Sequence, residues 1–385
     1  MRRLMKPLRT RRGGLVALAT ATLLLAGCGE TPLSTLEPQS PIARQLDNIL
    51  VWLLVAAGVV FVLVQGAVIY MSWKFRVAEP DDPSQVYPDE EFPEQIHGNT
   101  RLEIGWTILP TVIMAIVAFF TLGLLFQLDD VTASPFEERQ VQSVTVVGQQ
   151  WWWEFQYHTD DDGIPDIVTA NELVLPIGEE VHLDVTSRDV IHSFWVPALN
   201  GKRDAVPGRT NPWTIEAGAA GRFPGECTEF CGLSHAFMET FVVGIPLEDW
   251  QEWEANQITP AEAPAEGTDA AAGWEVFSAN CSSCHIINGL TPVNVDSEGR
   301  PVPVLTGKTE GDDFTSVVAS FDIYDGATRF IDRQTQVSGA APNLTHFASR
   351  SSFAGGIFEL YDNPDSERYI DLAEEGTLNL SLIHI

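Results

Sequence analysis

The twelve residues from Cys227 to Met238, CTEFCGLSHAFM, carry the spacing C-x-E-x-C-x3-H-x2-M through Cys227, Glu229, Cys231, His235 and Met238. Just upstream, HSFWVP supplies a second imidazole, His192. Two thiolates, two imidazoles and a thioether form a soft ligand set, and soft ligands select copper over hard cations. Three plainer readings compete. An oxidising compartment could join Cys227 to Cys231. Two cysteines and two histidines could hold structural zinc. Met238 could be ordinary core. Each explains some of these residues, and none explains why all occur together beside HSFWVP.

A ligand loop needs a rigid frame, and the flanking sequence reads as short strands. Val141 to Trp153 is rich in β-branched and aromatic residues and is expected to be one strand. Further apolar runs fall at Glu172–Pro176, Val181–Val185, Ser193–Pro197, Trp213–Glu216 and Phe241–Pro246, with Gly and Pro between them. That pattern predicts an all-β sandwich or barrel. Leu247 to Ile258 reads as a short helix closing it. The stretch TPAEAPAEGTDAAAG, poor in bulky apolar residues, reads as a linker to a second small domain starting near Gly273.

Toward the N-terminus two runs carry no charge, Asn48 to Trp73 and Ile104 to Leu128. Each is long enough to cross ~30 Å of hydrocarbon. Before them, Arg2, Arg3, Lys6, Arg9, Arg11 and Arg12 precede a short apolar run, Leu15 to Ala26. That is a signal-peptide layout, too short for a span. The ending Leu25-Ala26-Gly27-Cys28 resembles the bacterial lipoprotein processing site, so Cys28 is expected to become the lipid-bearing first residue. Two spans then return the chain to the outside after about Gln127. Lys74, Arg76 and Arg101 at the ends of the inner loop give this orientation only weak support, because the loop is otherwise acidic. The net charge of −31 argues against a nucleic-acid partner.

The remaining cysteines open CSSCH, Cys281 to His285, a C-x-x-C-H sequence of the kind that attaches c-type haem. Cys281 and Cys284 would form the thioethers and His285 would ligate the iron. With these assignments none of the five cysteines is left for a structural disulfide.

From about Gln45 to Trp253 the sequence resembles subunit II of the haem-copper cytochrome c oxidases. The resemblance rests on HGNTRLEIGWTILPTVI at the second apolar run, on GQQWWWEF, on DVIHSFWVPALNGKRDAVPGRTN, and on the CTEFCGLSHAFM loop. It implies a cupredoxin domain holding the dinuclear copper centre called CuA. By the family pattern Cys227 and Cys231 bridge both coppers, His192 and His235 each ligate one, Met238 is a weak ligand, and Glu229 contributes its backbone carbonyl. The Glu229 carboxylate would face a magnesium ion shared with subunit I, a hard ion suited to oxygen. Trp151 matches the tryptophan where electrons arrive from cytochrome c; as one of three adjacent aromatics it also reads as a half-buried strand residue. Glu103 matches a glutamate at the mouth of a proton pathway into subunit I; at the inner end of a span it also reads as an interfacial acid.

The C-terminal part resembles the cytochrome c domain fused to subunit II in some bacterial oxidases. Such domains usually supply a methionine as sixth iron ligand, and no methionine follows CSSCH here. The native reading frame is therefore expected to continue past Ile385 and to encode one, with His346 in PNLTHFASR as the rival ligand. The role of the polar stretch 287–340 is not assigned.

The expected architecture is multi-domain: a lipoprotein signal peptide at 1–28, a two-helix transmembrane hairpin at 45–128, an all-β cupredoxin sandwich at 131–256, a linker at 257–272, and a small all-α cytochrome c domain at 273–385, C-terminally incomplete. The resemblance implies a subunit of a terminal oxidase in a bacterial cell membrane, its copper and haem domains on the extracytoplasmic side. Electrons would run from a cytochrome c donor through haem c and CuA to subunit I, where oxygen is reduced and protons are pumped. Partners implied are subunit I, the other oxidase subunits, the donor and membrane lipid. A copper-containing nitric oxide reductase subunit and a membrane-tethered electron carrier are the alternatives; a quinol oxidase subunit would lack the copper ligands.

Overall fold

The computed structural model describes residues 33–75, 98–129, 143–158, 165–259, 261–282, 284–288, 290, 341–347, 350–353 and 358–359. The signal segment with Cys28, and nearly all of 287–340, lie outside the described residues.

Two long apolar helices come first, α1 (Pro41–Lys74) and α2 (Thr100–Asp129). At 1.5 Å per residue they extend ~51 and ~45 Å, more than the ~30 Å of a bilayer core. Large apolar side chains such as Trp52, Phe61, Phe119 and Phe126 stand exposed along them, as lipid or protein neighbours require. The first helix starts at Pro41, earlier than the hydropathy alone indicates, because Ser40 caps it. Ser40 Oγ accepts from Ala43 N–H at 3.0 Å, and Pro41 occupies the first helical position, where no N–H is needed. The same hydroxyl donates to the Leu199 carbonyl. Gln39 N–H donates to Ala198 O at 2.7 Å, and Gly218 N–H to Gln39 O at 2.9 Å. The start of the first span is thus fastened to the β domain.

Ten strands build that domain: β1 (Ser143–Gln149), β2 (Trp152–His158), β3 (Ile167–Ala170), β4 (Glu172–Pro176), β5 (Glu180–Ser187), β6 (His192–Trp195), β7 (Lys202–Ala205), β8 (Asn211–Glu216), β9 (Gly221–Cys227) and β10 (Glu239–Ile245). They form two five-stranded sheets, β3-β2-β1-β5-β8 and β4-β10-β9-β6-β7. The pairs β1/β5 and β4/β10 are parallel and the others antiparallel. Between the sheets lie Trp153, Phe155, Tyr157, Leu173, Leu183, Phe194 and Ile215, all buried. Trp153 and Phe194 meet edge-on with centroids 5.2 Å apart, a geometry favoured by aromatic quadrupoles.

The helix expected at Leu247–Ile258 is present as α3 (Leu247–Ile258). Its Trp250 and Trp253 close one side of the core, Trp253 lying 5.4 Å from the Tyr157 ring. A further helix, α4 (Asp269–Asn280), begins four residues before the expected domain start at Gly273, because Thr268 caps it through a bond from Ala271 N–H. Among the described residues beyond it there is a two-strand ladder, β11 (Ser352–Phe353) with β12 (Phe358–Glu359).

The single strand expected over Val141 to Trp153 is instead a hairpin. The chain turns at Gln150-Trp151, and β1 pairs with β2 from Gln149↔Trp152 outward. Polar anchors make the turn: Gln150 N–H donates to Asp189 Oδ2 at 2.7 Å. Three strands escaped the apolar pattern. β3 sits on a sheet edge. β7 is KRDA, an edge strand with little to bury. β9 carries Pro224 and Gly225, residues that ordinarily argue against a strand.

Across β5 and β8, Glu180 stands directly opposite Glu216. Burial and the Glu180 charge raise the Glu216 pKa above its ordinary 4.5, against a weaker pull from Arg44. The folded state therefore holds the proton more tightly than the unfolded chain. Ionisation of Glu216 costs stability that grows as pH rises from 4.5 through the raised value. Glu216→Gln should raise the melting temperature at neutral pH, and the gain should fade as pH falls below 4.5; thermal unfolding followed by tryptophan fluorescence across pH checks this.

Candidate metal centre

Cys227 is the last residue of β9, and its register partner on β6 is Phe194. The chain then leaves the sheet, makes a single 3-10 turn over His235–Phe237, and re-enters it at β10 directly after Met238. Two backbone bonds close this loop: Cys227 N–H to Met238 O and Thr228 N–H to Ser193 O, both 3.0 Å. Gly232 has φ +121°, and a Cβ there would stand 3.1 Å from Gln150 Nε2 and 3.2 Å from the Trp151 ring. Only glycine meets both demands. Under the site, a Cβ on Gly148 would lie 2.9 Å from the His192 ring, so β1 also needs a glycine for that imidazole to pack.

The structure brings the expected donors together. Cys227 Sγ lies 3.9 Å from Cys231 Sγ and 3.8 Å from His192 Nδ1. Cys231 Sγ lies 3.4 Å from His235 Nδ1 and 3.9 Å from Met238 Sδ. The Glu229 carbonyl oxygen is 3.3 Å from Cys227 Sγ. His192, Cys227, Cys231 and Met238 are buried, His235 is half-buried, and the Glu229 side chain is exposed. The two thiols are free. A disulfide needs ~2.05 Å between sulfurs, so their spacing is not that of a bond. His192, Cys227 and Cys231 can each offer a donor atom to one shared point, all within 4.8 Å of one another.

His192 Nε2 lies 2.8 Å from Asp189 Oδ1. With the Nε2 proton held there, the Nδ1 lone pair is left facing the thiols, which is how outer carboxylates orient metal-binding imidazoles. Burial lowers the His192 pKa, but the bonds to Asp189 and Cys227 outweigh it and the net shift is upward. Burial likewise opposes the Cys227 thiolate, yet the His192 bond and backbone bonds at Ser193 and Glu229 bring it down to about 7. Cys231 is pushed up to about 12 by burial and by the Cys227 charge. Charge on one thiol opposes ionisation of the other, and a bound cation would offset that repulsion.

Asp189 was not singled out from sequence, although it lies three residues before His192 in DVIHSFWVP. Gln150 also escaped notice; its Nε2 donates to Cys231 O at 2.7 Å. Trp151 is half-buried, in the β1–β2 turn rather than in a strand, and its Nε1 donates to the same carbonyl at 3.1 Å. Around the loop Phe230, Leu233 and Phe237 are exposed, Leu233 at 96%.

Two other groups lie elsewhere. Glu103 is exposed in the first turn of α2, at the end of the helical hairpin away from the β domain. Cys281 caps the C-terminus of α4, and the N–H groups of Cys284 and His285 both donate to its carbonyl. Cys281 is a free thiol, and His285 Nδ1 donates to Pro342 O at 2.8 Å. His346 Nε2 donates to Thr259 O at 2.7 Å, so its ring is committed to that backbone.

Asp189→Ala should weaken copper binding by about 10–100-fold, the usual cost of removing an outer partner of a metal-binding histidine. Competition with a chelator of known affinity measures it; unchanged affinity would remove Asp189 from the site.

Comparison with known proteins identifies the family. Residues 33–124 match the family model described as cytochrome c oxidase subunit II, transmembrane domain, and residues 163–245 match that of the periplasmic domain. The cytochrome c oxidase subunit 2 of Alkalihalophilus pseudofirmus is 36% identical over 274 residues, covering 71% of this chain and 76% of that protein. The subunit 2 of Bacillus sp. strain PS3 is 32% identical over 278 residues, covering 70% and 74%. A solved periplasmic domain of subunit II from Bradyrhizobium japonicum is 30% identical, with a TM-score of 0.28 and coverage of 30% of this chain and 91% of that one. The chain has both parts that these family models describe, a transmembrane domain and a periplasmic domain, and it belongs to that family: cytochrome c oxidase subunit II.

Proposed function

We propose that this chain takes electrons from a cytochrome c and delivers them to the oxygen-reducing subunit I of a haem-copper oxidase, through a dinuclear copper centre of the CuA type. The observation that carries this reading is the donor set: two free thiols 3.9 Å apart, each facing an imidazole Nδ1, with a thioether beside one of them. A lone zinc in a structural site needs four ligands and leaves the thioether unused. Two coppers use all of them. Cys227 and Cys231 would bridge, His192 and His235 would each hold one copper, and Met238 and the Glu229 carbonyl would complete the two ends. Bound copper supplies one-electron exchange with neither proton nor atom transferred. The chain's contribution is a donor cage tied at both ends into one sheet, so that the ligands move little between redox states.

Trp151 is suited to be the contact for the donor, since its indole is bonded directly to the backbone of Cys231. The exposed Glu229 carboxylate is suited to a magnesium ion shared with subunit I. Cys281, Cys284 and His285 would hold a c-type haem: all three stand in one turn closed on the Cys281 carbonyl, and the His285 bond to Pro342 O fixes the ring while leaving Nε2 for iron. The haem module and the copper domain would share the extracytoplasmic side of a bacterial membrane, with Cys28 as the lipid-bearing mature N-terminus. Glu103 sits 26 residues before the end of α2, ~39 Å along the helix from the β domain, which suits proton uptake from the opposite face, in step with proton pumping.

Metal analysis and turnover of the assembled oxidase test the copper reading. The unaltered chain should hold two coppers, and Cys231→Ser should lose oxygen consumption together with copper while subunit I still assembles. One zinc per chain, or full turnover in the variant, would contradict it. Glu103→Ala should slow oxygen turnover and leave reduction of the copper by the donor unchanged in rapid mixing; equal loss in both would mean a structural defect.

A further inference from the structure

Glu172, the first residue of β4, is 1% exposed, yet its carboxylate serves residues far along the chain. Ser351 N–H donates to Oε1 and Oε2, each at 3.0 Å, and Ser352 N–H donates to Oε1 at 2.6 Å. The hydroxyls of Ser351 and Ser352 add bonds to Oε1 at 2.5 and 2.7 Å. Ser351 and Ser352 are buried in turn, and Phe347 packs against the sandwich core. A buried carboxylate is costly unless its acceptors are filled, and charge-assisted bonds are the strong ones. Two consecutive backbone N–H groups and two hydroxyls fill them here.

The same short stretch grips the haem motif with its other end. Pro342 O accepts from His285 Nδ1, and Leu344 N–H donates to Ile286 O, both at 2.8 Å. Thr345 Oγ1 accepts from Asn288 N–H at 2.7 Å, and Asn343 Nδ2 donates to Asn288 Oδ1 at 3.0 Å. One segment therefore touches the CSSCH turn at its start and the β domain at its end. The place where it touches matters. Glu172 is in register with Phe241 on β10, three residues after Met238. The preceding Asn171 carbonyl accepts from Phe241 N–H and Thr240 Oγ1, both at 2.9 Å. Glu172 is thus fixed to the strand that leaves the copper loop, at the copper end of the sandwich.

We propose that Glu172 is a positioning residue, the anchor of a latch through which Ser351 and Ser352 hold the haem-motif module against the copper end of the sandwich. The chain's own C-terminal module is then a standing partner of the copper domain, at the high effective concentration that a tether gives. This rests on the reading of CSSCH as a haem site.

The test uses the full chain in detergent, with hydrogen exchange of the peptide 341–353, covalent haem by its alkaline pyridine spectrum, and copper absorbance measured together. Glu172→Gln keeps the shape but removes the charge and replaces one of the two acceptor oxygens with an NH2 donor. The segment should exchange about tenfold faster or more, as the loss of bonds to a charged group implies, with haem and copper retained. A second variant, Ser351→Ala with Ser352→Ala, removes only the hydroxyl bonds and should give a smaller acceleration, which guards against a misfolded first variant. Haem-to-copper electron transfer should slow in Glu172→Gln while reduction of the haem by an added donor does not. Unchanged exchange in both variants, with haem attached, overturns the latch. Absence of covalent haem from the unaltered chain overturns the haem reading instead, and the exchange data then report the docking by itself.

Discussion

Two buried thiols held 3.9 Å apart without bonding are the constraint from which the rest of this chain follows. Left to a flexible loop in an oxidising compartment, two cysteines four residues apart would tend to close on each other. Here they cannot approach freely, because each belongs to a different anchored piece. Cys227 is a strand residue in register with β6, while the Cys231 carbonyl is held from outside the loop by Gln150 and Trp151. The sandwich supplies that frame: two five-stranded sheets with an aromatic core place His192 at the start of one strand and Cys227 at the end of its neighbour.

Electrostatics completes what packing begins. The Asp189 carboxylate fixes which nitrogen of His192 faces the sulfurs, and His192 in turn lowers the Cys227 thiol while the resulting charge opposes Cys231. A cation between the two sulfurs would offset the repulsion between their charges. Affinity and redox tuning are shared with residues that never touch metal, a recurring division of labour in such sites. The hairpin turn at Gln150-Trp151 unites two parts of this: its backbone is tied to Asp189 and its side chains to Cys231.

Most of the site was legible in the sequence because the ligands are local. Five of the six donor residues lie within CTEFCGLSHAFM, and the sixth opens HSFWVP, so spacing alone gathers them. The apolar helices and α3 were equally plain, since length and helical pattern are local properties. What escaped notice depends on partners distant in the chain. Nothing near Gln150 announces a turn, because the anchor is Asp189, on the far side of β5. β9 hides behind Pro224 and Gly225, whose places in the ladder are set by Phe241 and Thr240 on β10, distant in the chain. Glu172 reads as an ordinary polar residue in a short strand until Ser351 and Ser352 are placed against it.

This cage is expected to hold two coppers as one electronic unit. Electron paramagnetic resonance of the oxidised, copper-loaded chain tests it most directly. The expected result is a hyperfine pattern from one unpaired electron shared equally by two copper nuclei, abolished by Cys227→Ser. A pattern from a single copper nucleus, or no signal from a zinc-loaded native site, would contradict it.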